Sequence, residues 1–377
     1  MTRRPDLDAL LQDVYDRALA MRSVTLLADE DMRDRVDHVS RNLSNRACVR
    51  LLMACLLGKL ENSSVDPRKP YTEIASEDCF SGRILDERYL SAFIHRHDLP
   101  CNPTTAFLTP TLRNINRPLF VDVELVGRPR ELYVKTLQLL EDVATGHVDA
   151  DTLFVEVVRV LLLIRDEKKA RIGSLMEALR RSKDALPLSS EQIVTLIRQH
   201  LACRGASRLP VLVIAAAYHA VGEFIGEFLL PLLSHNAADL QTKSIGDLEI
   251  RLRADDAVVM AYEMKMRKVS KEDVDIAVAK IICSNGIVQN YIFITKDIID
   301  PAVTNYASRL YEEMGGVEIV VLDCIGFLRH FLHFFHRSRA VYLDAYQDFV
   351  LAEPDSAVGS ALKEAFLALR QAAESGD

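Results

Sequence analysis

Two short stretches place acids and a lysine where they could share a surface: Ser244-Ile245-Gly246-Asp247-Leu248-Glu249-Ile250 and, after Ala254-Asp255-Asp256, Val258-Val259-Met260-Ala261-Tyr262-Glu263-Met264-Lys265. Polar and apolar residues alternate in both, the pattern of strands with one buried face. Asp247 and Glu249 then share a face, as do Glu263 and Lys265. A three-residue loop at 254–256 pairs Arg253 with Ala257 and, counted back, sets Asp247 opposite Glu263; a two- or four-residue loop spoils that alignment. Opposed acids repel, so the arrangement requires a compensating cation, either Lys265 or a bound metal. A hard divalent ion such as Mg²⁺ takes carboxylate oxygens and keeps several waters, which leaves room for a phosphate and an attacking hydroxide. For a Glu-x-Lys tripeptide alone, solvent-facing charges on an amphipathic hairpin are the simpler reading.

The elements around these strands follow from periodicity. The longest apolar run, 209–233, is interrupted by His219, Glu223 and Glu227 and reads as a buried helix rather than a membrane span. Strands are predicted at about 245–253, 257–265, 288–295 and 316–322, with helices between the later ones, as in a single α/β unit. A closing helix at 327–335 precedes a mixed tail that ends in the helical run 360–373. Upstream, Leu7, Leu10, Leu11, Val14 and Tyr15 mark one helical face and 49–57 another, followed by a proline-punctuated polar segment at 66–118. Helical patterns return at 153–164 and 172–179, and Ser189-Ser190-Glu191-Gln192 carries the capping residues of a further helix. The expected fold class is α/β, a mixed sheet flanked by helices, joined to a largely helical N-terminal region. The expected divisions are 1–205, 206–345 and a helical tail at 346–377.

Composition narrows the class. At 377 residues and 42.4 kDa the chain exceeds one compact domain, and its 49% hydrophobic and 27% charged content is that of a folded globular protein. Seven scattered cysteines without a CxxC argue for reduced thiols and against a disulfide framework or zinc ribbon. Met1-Thr2-Arg3-Arg4-Pro5-Asp6 leads into a charged helix rather than an apolar signal, so a cytoplasmic location is expected. A net charge of −8 opposes a polyanionic partner unless basic side chains gather locally. No GxSxG, Walker A loop, HExxH or Rossmann glycine run occurs.

The order apolar helix, Gly246-Asp247, hairpin, Glu263-Met264-Lys265, strand Tyr291-Ile292-Phe293-Ile294, helix, strand resembles the core of the PD-(D/E)XK nucleases, with Gly246 where that family has proline. Closer wording resembles the SacI-type restriction endonucleases: Ser207-Arg208-Leu209-Pro210-Val211-Leu212, His235-Asn236-Ala237-Ala238-Asp239, the Gly246-Asp247 strand and Tyr291 to Thr295. Phe80-Ser81-Gly82-Arg83 and Asn102-Pro103-Thr104-Thr105-Ala106-Phe107-Leu108-Thr109-Pro110 extend the likeness toward the N-terminus. The resemblance implies Asp247 and Glu263 as Mg²⁺ ligands together with the Met264 backbone carbonyl, and Lys265 as the group that positions or activates water. Some members take a further ligand from the preceding helix; Glu223 and Glu227 are the candidates, with a structural pair equally open. A type II enzyme of this kind would cut double-stranded DNA at a short site, leaving 5′-phosphate and 3′-hydroxyl ends. It would act as a homodimer, with a cognate methyltransferase protecting the host DNA, away from any membrane. The alternatives are a nuclease of repair or modification-dependent defence and a non-catalytic DNA-binding protein.

Two other signals stand apart. The segment 81–117 offers Arg83, Arg88, Asn102, Thr104, Thr105, Arg113, Asn114 and Arg117, donors of the types that read bases and phosphates, with an ordinary surface loop the competing reading. His330, His333 and His336 recur every third residue, but that spacing drifts around a helix and no carboxylate lies among them. A packed or interface helix, with Arg329, Arg337 and Arg339 toward phosphate, is preferred to a metal site.

Overall fold

A computed structural model of the chain describes residues 5–42, 44–181, 186–232, 244–253, 258–283 and 288–375. The chain divides into two compact units, Met1–Ala170 and Arg171–Asp377.

The first unit is helical. Helices α1 (Leu7–Ala20), α2 (Glu30–Arg41), α3 (Ala47–Glu61), α4 (Gly82–Leu85), α5 (Ser91–Arg96), α6 (Arg130–Ala144) and the start of α7 (Ala150–Arg181) share one core. Every residue of α3 from Ala47 to Gly58 is buried, so this helix is the centre of the unit. The two patterns expected at 153–164 and 172–179 join into the single helix α7. The residues between them, Arg165-Asp166-Glu167-Lys168-Lys169-Ala170-Arg171, are good helix formers with no breaker, so loss of the apolar stripe does not end the helix.

The second unit is built on a five-stranded mixed sheet. Helix α8 (Ser190–Ala202) begins with the expected capping box: Ser189 Oγ accepts the Gln192 N–H at 3.3 Å and Gln192 Oε1 accepts the Ser189 N–H at 2.8 Å. Helix α9 (Leu209–Ile225) is followed by β1 (Glu227–Leu229), β2 (Leu248–Leu252), β3 (Val258–Lys265), α10 (Lys271–Cys283), β4 (Asn290–Thr295), α11 (Pro301–Glu313), β5 (Glu318–Asp323), α12 (Cys324–Phe334), α13 (Arg339–Ala352) and α14 (Ser360–Ser375). The strand order is β1-β2-β3-β4-β5, antiparallel from β1 to β3 and parallel from β3 to β5. One face packs Ala261, Tyr291, Phe293, Ile319 and Val321 against α10 and α11; the other packs Leu248, Ile250, Tyr262 and Ile294 among α9, α12 and α13.

The contact division at 170/171 precedes the expected 205/206, since α8 packs into the second core. The mixed tail also gains a helix, α13, which with α14 belongs to that same core. The stretch Ala206–Ile225 is long and apolar enough on length and composition to cross a membrane, but 72% of its most apolar part is buried in the unit.

A buried histidine gives this unit a pH dependence. His200 is fully buried, with Nε2 2.9 Å from the Leu362 carbonyl and Nδ1 3.0 Å from the Tyr346 hydroxyl. A carbonyl only accepts, so Nε2 carries the proton and Nδ1 accepts from Tyr346. Burial pushes the imidazole down to about 4. The unfolded chain, titrating near 6.5, binds a proton through that window that the folded chain refuses. Stability should therefore be full above about pH 6.5 and fall by about 3 kcal/mol on going to about pH 4. Urea melts at several pH values should show this slope and its loss in His200→Gln; an equal slope in both proteins would contradict the assignment.

Candidate active site

The acids and the lysine come together at the end of the β2–β3 ladder. Leu248 pairs with Tyr262, Glu249 with Ala261 and Ile250 with Met260, so one further step sets Asp247 opposite Glu263. Nearer the loop the register slips by one residue at a bulge, and Arg251 pairs with Val258. Loop residues 254–257 lie outside the described residues, as does the motif 235–239. The expected opposition of the acids thus depends on a bulge at Val259 as well as on the loop, and the bulge offsets the one-residue slip.

Asp247 is exposed, and its Oδ2 accepts the Met264 N–H at 2.7 Å. A strand residue sends its N–H and C=O out along the same edge, so the Met264 carbonyl is on the Asp247 side as well. Gly246 is required here by close approach: a Cβ at this position would lie 2.6 Å from the Tyr262 carbonyl oxygen. Gly246→Ala should therefore force the backbone apart and lower stability by about 1–3 kcal/mol. An unaltered thermal melt would show that the strand has room to spare.

Glu263 and Lys265 share the α10 side of the sheet, as the alternation predicts. Lys265 Nζ bridges Glu263 Oε1 at 3.1 Å and Asp273 Oδ1 at 3.4 Å. Asp273 lies at the start of α10, where it and Ser270 exchange backbone contacts: its Oδ2 accepts the Ser270 N–H at 2.9 Å and Ser270 Oγ accepts the Asp273 N–H at 3.3 Å. Both Arg267 Nη atoms donate to its carboxylate at 2.8 Å. Burial raises the Asp273 pKa, but the Ser270 N–H, Arg267 and Lys265 outweigh it and hold the carboxyl at about 2. Tyr291, buried on β4, places its hydroxyl 3.2 Å from Glu263 Oε2 and 3.1 Å from the Ile245 carbonyl, so one phenol ties the Asp247 strand to Glu263. Lys280 of α10 reaches the same Glu263 Oε2 at 3.4 Å.

Glu223 and Glu227 are not brought to this cluster. Gly226 adopts a left-handed conformation (φ 73°) and donates to the Gly222 carbonyl at 2.8 Å, which ends α9 at Ile225 and turns the chain straight into β1. Glu227 therefore lies on a strand, not one helical turn after Glu223. It pairs with Leu252, five residues along β2 from Asp247, a separation of about 17 Å at the usual rise. Its carboxyl is pushed up by burial beside Tyr218 of α9, on the opposite face of the sheet. Glu223 is exposed in the last turn of α9.

The histidines of α12 are spread rather than gathered. His333 Nε2 sits 3.1 Å from Glu191 Oε1, and His330 stacks on Phe334. Among the described residues no three His, Cys, Asp or Glu side chains converge as a metal site. The oxygens offered at the cluster are two carboxylates and a backbone carbonyl.

In the first unit, the residues expected to read DNA separate into two kinds. Thr105 is buried; it donates to Asp86 Oδ2 at 2.6 Å and accepts the Phe107 N–H at 3.4 Å, so it is a structural residue unavailable to a ligand. Asn102 is half-buried, with its amide donating to the Thr104 carbonyl at 2.9 Å. Arg83, Thr104 and Arg113 are exposed, and Arg83 is paired with Glu87 at 2.8 Å.

Asp273, Lys280 and Tyr291 were not anticipated as members of the site. A trace exists in the sequence: Asp273 and Lys280 are seven residues apart, hence on one helix face, beside the buried Val274, Ala277 and Ile281. That trace specifies a face but not what it covers. No curated protein matches the chain. Residues 188–296, which run from just before α8 to just after β4 and hold every side chain of the cluster, match the family model of the SacI restriction endonuclease C-terminal domain, so this chain is similar to the SacI-type restriction endonucleases.

Proposed function

We propose that the second unit is a PD-(D/E)XK catalytic core and that the protein is a type II restriction endonuclease, hydrolysing double-stranded DNA at a short specific sequence with Mg²⁺. The observation that carries this reading is the opposition of Asp247 and Glu263 with Lys265 on one face of the sheet, inside a segment similar to a restriction endonuclease domain. The donor set suits a hard cation, because Asp247, Glu263 and the Met264 carbonyl offer oxygen only and nothing soft lies among them. When bound, Mg²⁺ would supply charge neutralisation at the phosphate and a more acidic water.

The chain's own groups account for the remaining steps. Lys265 Nζ, held between Glu263 and Asp273, would orient the attacking water and offset charge that builds on the phosphate oxygens. Asp273, itself gripped by Arg267, holds that ammonium in position, and Tyr291 ties the two acid-bearing strands together. The exposed Arg83, Thr104 and Arg113 of the first unit are the side chains we assign to DNA contact. A homodimer would present one such site to each strand of a two-fold symmetric sequence, with a cognate methyltransferase guarding host DNA.

Digestion of unmethylated phage DNA with Mg²⁺, against a chelated control, tests the reading. Discrete fragments are expected. A smear would instead indicate a nuclease of the repair type, and intact DNA at every Mg²⁺ or Mn²⁺ concentration a non-catalytic DNA-binding protein.

A further inference from the structure

Glu263 is held by two lysines from different elements. Its Oε1 meets Lys265 from the same strand at 3.1 Å, and its Oε2 meets Lys280 from α10 at 3.4 Å, beside the Tyr291 hydroxyl at 3.2 Å. The second lysine is brought there by packing: Val274, Ala277 and Ile281 bury α10 against the sheet, and this turns Lys280 toward the strand end. Both partners are largely shielded, with 21% of the Lys280 side chain and 16% of the Glu263 side chain exposed, so their attraction is less screened than that of a surface pair. Asp273 has its own cation in Arg267, so Lys265 already balances Glu263 and Lys280 brings that acid a second positive charge.

We propose that Lys280 is a positioning residue that occupies Oε2 of Glu263 in DNA-free protein and opposes a divalent cation there, tying cation capture to the arrival of DNA. The inference rests on Glu263 being a cation ligand. An incoming phosphodiester offers the Lys280 ammonium another anion, and its withdrawal leaves Oε2 beside the neutral Tyr291 hydroxyl and free of that positive charge. Coupling of this kind is reciprocal, so DNA and cation each strengthen binding of the other. A single charge about 6 Å from a divalent ion in a water-like medium changes affinity by about tenfold.

The test is calorimetric titration of Ca²⁺ into the full chain without DNA at low ionic strength, for wild type, Lys280→Met, Lys280→Arg and Glu263→Gln. Lys280→Met should bind Ca²⁺ about tenfold more tightly than wild type, with an unchanged melting temperature, while Lys280→Arg, which keeps the charge, should resemble wild type. The gap should narrow in concentrated KCl. Equal or weaker binding by Lys280→Met overturns the proposal while leaving the cation site standing. Wild-type affinity retained in Glu263→Gln, or no binding to any of the proteins at millimolar Ca²⁺, overturns the cation site and this inference with it.

Discussion

Lys265→Ala should cut DNA cleavage about 10²–10⁴-fold, the range for removing a positioned proton-transfer or charge-stabilising group. Its ammonium stands between Glu263 and Asp273, and the neighbouring Met266 and Arg267 side chains cannot substitute, because Met266 carries no charge and Arg267 is committed to Asp273. The fold should survive the change. Each acid that loses Lys265 keeps another cation: Glu263 keeps Lys280, and Asp273 keeps both Nη atoms of Arg267. Single-turnover cleavage of unmethylated plasmid, with thermal melts of both proteins, separates the two effects. A variant within tenfold of wild type would remove Lys265 from the mechanism.

The largest stability effect is expected in the first unit. Arg50 on α3 and Asp86 are both essentially fully buried, and Arg50 Nε donates to Asp86 Oδ1 at 2.6 Å. The other guanidinium nitrogens donate to the Asn102 carbonyl and Ser91 Oγ, each at 2.5 Å, while Asp86 Oδ2 accepts from Thr105 and from the Ala106 N–H at 3.0 Å. Asp86→Ala leaves a buried guanidinium without its counter-charge and two donors without an acceptor. A loss of about 3–5 kcal/mol is expected. Replacing both charges with apolar residues, Arg50→Met with Asp86→Leu, should cost less than the single change, since no uncompensated charge remains. Urea unfolding of the three proteins checks this order; a loss below about 1 kcal/mol in Asp86→Ala would mean that water reaches the site.

The same network explains why the polar segment at 66–118 misled the sequence reading at one position. Thr104 and Thr105 have the same donor chemistry, yet one is exposed and the other caps a turn on a buried acid. Nothing local separates them; the difference is Arg50, which lies far upstream on a helix that sequence periodicity identifies only as apolar.

What the amino-acid sequence determined was set by short-range geometry. The period of two in a strand puts Glu263 and Lys265 on one face whatever surrounds them, and the capping residues start α8 where Ser189 and Gln192 predict. The order of helices and strands from 209 to 323 followed from apolar periodicity, apart from β1, because each element must bury one face. Tertiary structure decided relations between elements. A left-handed glycine ended α9 and sent Glu227 to the wrong end and wrong face of the sheet for the site. A bulge at Val259 offset the register slip near the loop and so kept Asp247 opposite Glu263, and the docking of α10 added Asp273 and Lys280 around the acids. Those outcomes depend on which apolar faces meet and at what register, and that is fixed only when the whole core closes, since no single segment carries the energy to choose it.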